Sequence, residues 1–250
     1  MWVKSISVVV PAYNEEERLP VSLSRILSYL EEGGYDYEVL VMDDGSTDST
    51  PDVVERLIQS GAESLSLLRG EENRGKGSSV RRGVLASSNE YVLFTDADLS
   101  TPIEELEKLT RVLDEGTDIA IASRALPGSD IKLRQNWLRE RMGKMFNLIL
   151  RSMGLTRFKD TQCGFKMFRR KAARDLFSRS RLDGFAFDME ILFLARKFGY
   201  SVKEIPVVWV NSPNSRVSAI SDPIDMLVDA LRVRWMSLLG VYGRRARSRP

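Results

Sequence analysis

Val39-Leu40-Val41-Met42-Asp43-Asp44-Gly45-Ser46-Thr47-Asp48 and Tyr91-Val92-Leu93-Phe94-Thr95-Asp96-Ala97-Asp98 are two short β-rich apolar runs that each stop at aspartates. A strand buried on both faces reads as a continuous apolar run, and one that ends in aspartate delivers carboxylates to the rim of a sheet. Open α/β sheets bind their ligands outside the carboxyl ends of the strands. Asp96 and Asp98 flank a small residue, Ala97, so an extended backbone would aim both carboxylates the same way. Two close carboxylates repel unless a cation sits between them, and hard oxygen ligands suit Mg²⁺ or Mn²⁺. The pair therefore reads as a metal and diphosphate site. The plainer alternative is a solvated loop, which a lone Asp-x-Asp does not exclude.

Outward from these runs, strands and helices alternate. Ile6 to Val10 is a β-branched run closed by Pro11-Ala12-Tyr13-Asn14, and Glu15 to Glu32 carries a helical apolar stripe closed by Gly33-Gly34. Thr50 to Gln59, Ser78 to Ala86 and a segment opened by Thr101-Pro102 read as helices, with strands at Leu65–Arg69 and Ile119–Arg124. The pattern predicts a layered α/β domain with a mostly parallel sheet. Gly70 to Gly77 spells the first positions of a phosphate-binding P-loop but has Gly77 where Ser or Thr would hold Mg²⁺. It reads instead as a flexible basic turn whose Lys76 either touches a ligand phosphate or is merely solvated.

The rhythm changes after residue 124. Residues 131 to 153 read as a basic amphipathic helix, and a second such segment runs from Ile224 to Leu239 with Trp235 beside Arg232 and Arg234. Either these face a core with solvated outer sides, or they lie in a bilayer interface near anionic lipid. The expected division is a catalytic unit over residues 1–220 and a helix with a basic tail over 221–250.

Composition narrows the chemistry. The 250 residues, 43% hydrophobic and 29% charged, suit a globular chain, and the net charge is only +2. There is no histidine, which removes His-dependent nucleophilic mechanisms and His-ligated zinc. The single cysteine, Cys163, excludes an internal disulfide and fits a reducing compartment. Neither a signal peptide nor a membrane-spanning run is visible. The basic residues accompany apolar faces rather than aromatics on a sheet, so no nucleic-acid partner is expected. The sequence leaves oligomeric state open.

Taken in order, Pro11-Ala12-Tyr13-Asn14-Glu15, Asp43-Asp44-Gly45-Ser46-Thr47-Asp48, Asn73-Arg74-Gly75-Lys76-Gly77, Asp96-Ala97-Asp98 and Ser123-Arg124 resemble the family 2 glycosyltransferases of the GT-A fold. Asp160-Thr161-Gln162-Cys163-Gly164-Phe165-Lys166 and Asp183-Gly184-Phe185-Ala186-Phe187-Asp188-Met189-Glu190 are most similar to the dolichyl-phosphate glucosyltransferase branch, with dolichyl-phosphate mannose synthases next. The resemblance implies a GT-A fold with appended amphipathic interface helices and an inverting transfer of a hexose, glucose first and mannose from GDP-mannose second, to a polyprenyl (dolichyl) phosphate.

It implies that Pro11, Ala12, Tyr13, Glu15, Asp43 and Asp44 surround the nucleoside, and that Asp96, Ala97 and Asp98 form the metal corner for Mg²⁺ or Mn²⁺. Ser100 stands where mannose synthases place a further metal-binding Gln. Lys76, Arg124 and Arg216 would neutralise the diphosphate, Arg216 and Ser218 would sit on a closing loop, and Asp160 and Gln162 would line the sugar pocket. Asp188 is either a general base for a hydroxyl acceptor or a charge at a helix start. The expected setting is peripheral, at the cytoplasmic face of a membrane. A noncatalytic nucleotide-sugar binding module is the competing reading. A nucleotidyltransferase is disfavoured because residues 8 to 20 lack glycine.

Overall fold

The computed structural model describes residues 4–133, 137–211 and 221–243. The first half alternates as expected: β1 (Ser5–Ala12), α1 (Leu19–Glu32), β2 (Asp36–Asp43), α2 (Thr50–Gln59), β3 (Leu65–Arg69), α3 (Lys76–Ala86), β4 (Tyr91–Thr95), α4 (Leu106–Asp114) and β5 (Ile119–Ser123). The second half adds β6 (Asp130–Leu133), α5 (Trp137–Ser152), β7 (Phe165–Arg169), α6 (Arg170–Arg179), α7 (Phe187–Phe198), β8 (Val202–Pro206), β9 (Val208–Val210) and α8 (Ser221–Leu238).

Seven strands form one sheet in the order β3-β2-β1-β4-β7-β5-β8, while β6 and β9 pair as a small parallel ribbon. All neighbours in the large sheet are parallel except β7, which runs antiparallel to both β4 and β5. Strand side chains alternate between faces, and the two cores follow that alternation. Val8, Val10, Val39 and Val41 pack with Leu19, Leu23 and Ile26 of α1 and Leu106 and Leu109 of α4. Val9, Leu40, Met42 and Phe94 pack on the other face with Val80 and Val84 of α3 and Phe187 and Ile191 of α7. The result is the expected α/β layering.

Two boundaries differ from the sequence reading. Residues 130–133 are not the start of a helix, because their backbone pairs with β9 through Asp130↔Val208 and Ile131↔Trp209. Helix α1 begins at Leu19 rather than near Glu15, because Asn14 takes a left-handed φ of 53° and its side chain accepts hydrogen bonds from the Thr47 and Asp48 amides. That turn ties the end of β1 to the loop after β2.

Candidate active site

The carboxyl ends of β1, β2 and β4 lie side by side. Ala12 pairs with Asp43 in register, and the Asp44 amide donates to the Ala12 carbonyl at 2.9 Å. Beyond these ends opens a cleft of about 300 Å³, at the small end of the range for small-molecule sites. It is lined by Pro11, Ala12, Tyr13, Glu15, Asp44, Lys76, Asp96, Ala97 and Asp98, all named from the sequence. Arg18, Asn73, Gly75, Ser79, Gly184 and Phe185 complete it.

The Asp96–Asp98 corner is not extended backbone. Strand β4 ends at Thr95 and the chain turns, with the Leu99 amide donating to the Asp96 carbonyl and the Ser100 amide to the Asp98 carboxylate. Leu99 adopts a φ of 46°, a conformation that costs a bulky residue energy and recurs at ligand sites. The turn, rather than strand alternation, brings the carboxylates to one cleft.

Antiparallel β7 supplies the floor. Thr95 pairs with Phe165, so Gly164 lies beside Asp96, whose amide donates to the Gly164 carbonyl at 3.0 Å. A Cβ on Gly164 would stand 2.0 Å from the Asp96 carboxylate, so any larger residue there would displace that carboxylate.

The charges are compensated locally. Lys76 opens α3 and places its ammonium 2.5 Å from Asp96, while Arg18 clasps Glu15 through two hydrogen bonds and approaches Asp98 at 3.9 Å. Burial works against the Lys76 charge, yet Asp96, Asp188 and Asp98 outweigh it and hold the ammonium above its ordinary pKa. Residues 70 to 77 are therefore not a free turn. Gly77 packs so closely on the 182–184 loop that a Cβ would meet the Leu182 carbonyl at 2.7 Å, which explains why Ser or Thr is absent there.

Other expected residues serve the frame. Asp43 is 1% exposed and accepts from the Ser46 amide, a turn-capping role, while Asp44 accepts from the Arg74 and Gly75 amides and the Ser79 hydroxyl. Asp160 lies outside the cleft, its carboxylate taken by the Arg124 amide and guanidinium and by the Gln162 amide. Burial opposes its charge, but Arg124 wins and pulls Asp160 down to about 2. Arg124 is thus committed to Asp160 and to the face of Trp209 at 5.4 Å, and neither it nor Gln162 lines the cleft.

Asp188 is 3% exposed and bonded to Lys166, itself fully buried, so it is not the open carboxylate a base for a hydroxyl acceptor requires. Burial raises its pKa despite that partner. Burial also pushes the Cys163 thiol up to about 11, which leaves it a small apolar filler. Arg216 and Ser218 lie outside the described residues. Sequence reasoning missed Arg18 as a cleft residue; its signal was the i,i+3 spacing from Glu15.

The cleft fits a divalent cation. Asp96 and Asp98 are hard carboxylates facing one space, and the cation on Asp96 here is an ammonium. No group of three or more Cys, Asp or Glu gathers to hold a metal among the described residues, here or elsewhere, so the protein would offer a cation these two carboxylates.

The model of the family "Glycosyl transferase family 2" matches residues 7–177. The Dictyostelium discoideum dolichyl-phosphate beta-glucosyltransferase is 36% identical over 248 residues, covering 95% of this chain and 76% of that protein. The Homo sapiens protein of the same name is 35% identical over 251 residues, covering 96% and 78%.

Among solved structures, glucosyl-3-phosphoglycerate synthase from Mycobacterium tuberculosis in complex with Mn²⁺, UDP-glucose and phosphoglyceric acid superposes with a TM-score of 0.63 at 24% identity, over 98% of this chain and 82% of that one. Mannosyl-3-phosphoglycerate synthase from Rubrobacter xylanophilus reaches 0.69 at 20% identity, over 99% and 79%. Both establish a shared fold, that of GT-A glycosyltransferases.

Two outcomes test this construction. Gly164→Ala should weaken Mn²⁺ binding in the presence of nucleoside diphosphate roughly ten- to hundredfold by electron paramagnetic resonance, as loss of a supporting contact does at metal sites; unchanged affinity would remove Gly164 from the corner. Asp160 contributes stability above its unfolded value near 3.8 that is lost as pH falls through about 2. Asp160→Asn should therefore cost roughly 3 kcal/mol at neutral pH in urea denaturation, with the gap to the native protein narrowing across that acid window.

Proposed function

The chain belongs to glycosyl transferase family 2, and on that premise we propose that it transfers glucose from a nucleotide sugar to a polyprenyl phosphate, with inversion at the anomeric carbon. The observation that carries the reading is the gathering of the β1 turn, Asp44, Lys76, Asp96 and Asp98 around one cleft at parallel strand ends. Support for the acceptor and sugar comes from relatives 36% and 35% identical that are dolichyl-phosphate beta-glucosyltransferases.

The reaction displaces a nucleoside diphosphate, on which negative charge grows as the glycosidic bond breaks. Asp96 and Asp98 would hold Mg²⁺ or Mn²⁺, which when bound supplies Lewis-acid neutralisation of that charge. Lys76 sits at the same corner, at the start of a helix whose dipole also favours an anion, and adds a fixed ammonium to the leaving group's surroundings. Tyr13 and Pro11 line the nucleoside side of the cleft, and the Glu15–Arg18 clasp fixes the β1 turn that carries them. A polyprenyl phosphate is already an anion at neutral pH, so attack needs positioning and no proton abstraction. The burial of Asp188 against Lys166 agrees with that requirement.

A lipid acceptor calls for a membrane surface, and α5 with α8 offers one. The two helices pack on each other. Met145 and Leu148 of α5 and Val228, Leu231, Trp235 and Leu238 of α8 remain exposed, Leu238 at 72%. Arg232, 3.9 Å from Asp229, and Arg234 precede Trp235, and Arg151 is exposed on α5. An apolar stripe with Trp and nearby arginines suits the headgroup boundary of an anionic bilayer, each unpaired cation near the surface adding about 1 kcal/mol. No helix among the described residues is long and apolar enough to cross a membrane, so the reading is of peripheral attachment.

Incubating the protein with dolichyl phosphate, Mn²⁺ and either UDP-glucose or GDP-mannose should give β-linked lipid glucose. Mannolipid formation would correct the sugar, an α-linked product would overturn inversion, and donor binding without consumption would reduce the protein to a binding module. In flotation assays the protein should follow anionic vesicles at low salt and lose them as ionic strength rises, whereas Trp235→Glu with Leu238→Glu should not float. Equal flotation of the double variant would exclude this face.

A further inference from the structure

The ammonium on Asp96 has a consequence for how the site fills. We propose that Lys76 is the resident counter-cation of the metal corner: in the donor-free protein it occupies the place on Asp96 that a divalent cation takes, and an arriving nucleoside diphosphate opens that place by drawing the ammonium to itself. The inference rests on the reading of Asp96 and Asp98 as metal ligands.

Three features hold Lys76 there. Its Nζ is 2.5 Å from Asp96 and 5.9 Å from the centre of the Phe187 ring, with the side chain only 20% exposed. The start of α3 is fixed, because Gly75 and Gly77 lie against the backbone of residues 182–184 and the Ser78 amide donates to the Asp183 carbonyl. Asp96 is bounded beneath by Gly164, and its side chain is 34% exposed toward the cleft that Lys76 also lines.

An ammonium and a divalent cation repel each other strongly at contact distance in a partly buried site, so one carboxylate does not hold both well. Of the other two acids whose fields reach Lys76, Asp188 is already bonded to Lys166 and Asp98 belongs to the corner the divalent cation would take. A diphosphate in the cleft is the remaining strong anion for Lys76 to meet. Metal and donor then bind with positive, reciprocal coupling, and the metal-loaded state without donor is disfavoured.

Mn²⁺ binding, followed by electron paramagnetic resonance without and with UDP or GDP, tests this in the native protein, Lys76→Met and Lys76→Arg. Without nucleotide, K76M should bind Mn²⁺ about tenfold or more tighter than the native protein, and the enhancement by nucleotide, whose phosphate oxygens add ligands of their own, should be smaller than in the native protein. K76R, which keeps the charge, should retain weak, nucleotide-dependent binding. Native and K76M proteins with equal nucleotide-free affinity and equal nucleotide enhancement would overturn the proposal while leaving the metal reading intact. Absence of Mn²⁺ binding to the native protein even with both nucleotides would overturn both. Should K76M not fold, the side-chain ammonium signal of Lys76 in the native protein, assigned by its loss in K76R, decides: it should shift when Mg²⁺ and UDP or GDP are added together, and an unmoved signal with nucleotide bound overturns the idea.

Discussion

Crowded carboxylates at the ends of two parallel strands are the constraint from which the rest of this protein follows. Asp43 ends β2 and Asp44 follows it, and Asp96 and Asp98 follow β4, with β1 between those strands. Such a concentration of negative charge in a half-buried cleft is tolerable only if every carboxylate meets a donor or a cation. Asp43 and Asp44 are satisfied by backbone amides and a hydroxyl, which spends their charge on shaping loops. Asp96 and Asp98 are met by the side-chain cations Lys76 and Arg18, with the Ser100 amide also donating to Asp98. The difference separates the frame of the site from its working corner.

A second layer of pairing lies behind that corner. Lys166 and Asp188, and Arg124 and Asp160, are buried ion pairs on or next to β7 and β5. Breaking a buried pair by removing one partner costs far more than the pair is worth against apolar replacements, so these residues behave as structural commitments. They resemble catalytic groups in sequence because charged residues in short motifs near an active site look alike whether they touch the ligand or hold the wall behind it.

That distinction marks how far the sequence could be read. The first five strands and six of the helices, α5 and α8 among them, were legible because each apolar run carries one period, and most end in recognisable turn residues. The cleft residues from Pro11 to Asp98 were legible because they sit at those ends. Strand β7 was not, since Phe165-Lys166-Met167-Phe168-Arg169 interrupts its apolar run with a lysine that only the buried Asp188 makes acceptable. The strand identity of residues 130–133 depends on a partner at 208–210, a pairing no local pattern announces. The roles of Asp160 and Asp188 were ambiguous for the same reason: their partners are distant in sequence.

The antiparallel course of β7 ties two regions that would otherwise be strangers. The chain leaves the amphipathic α5, makes one loop, and reaches Gly164, the residue before β7, directly beside Asp96. Within that loop the Asn147 side chain of α5 accepts from both the amide and hydroxyl of Thr161, a buried clamp close to Gln162 and Gly164. One buried amide thereby moors the outer helix to the strand that floors the charged corner, so the helix facing outward and the carboxylates facing the cleft share a single scaffold.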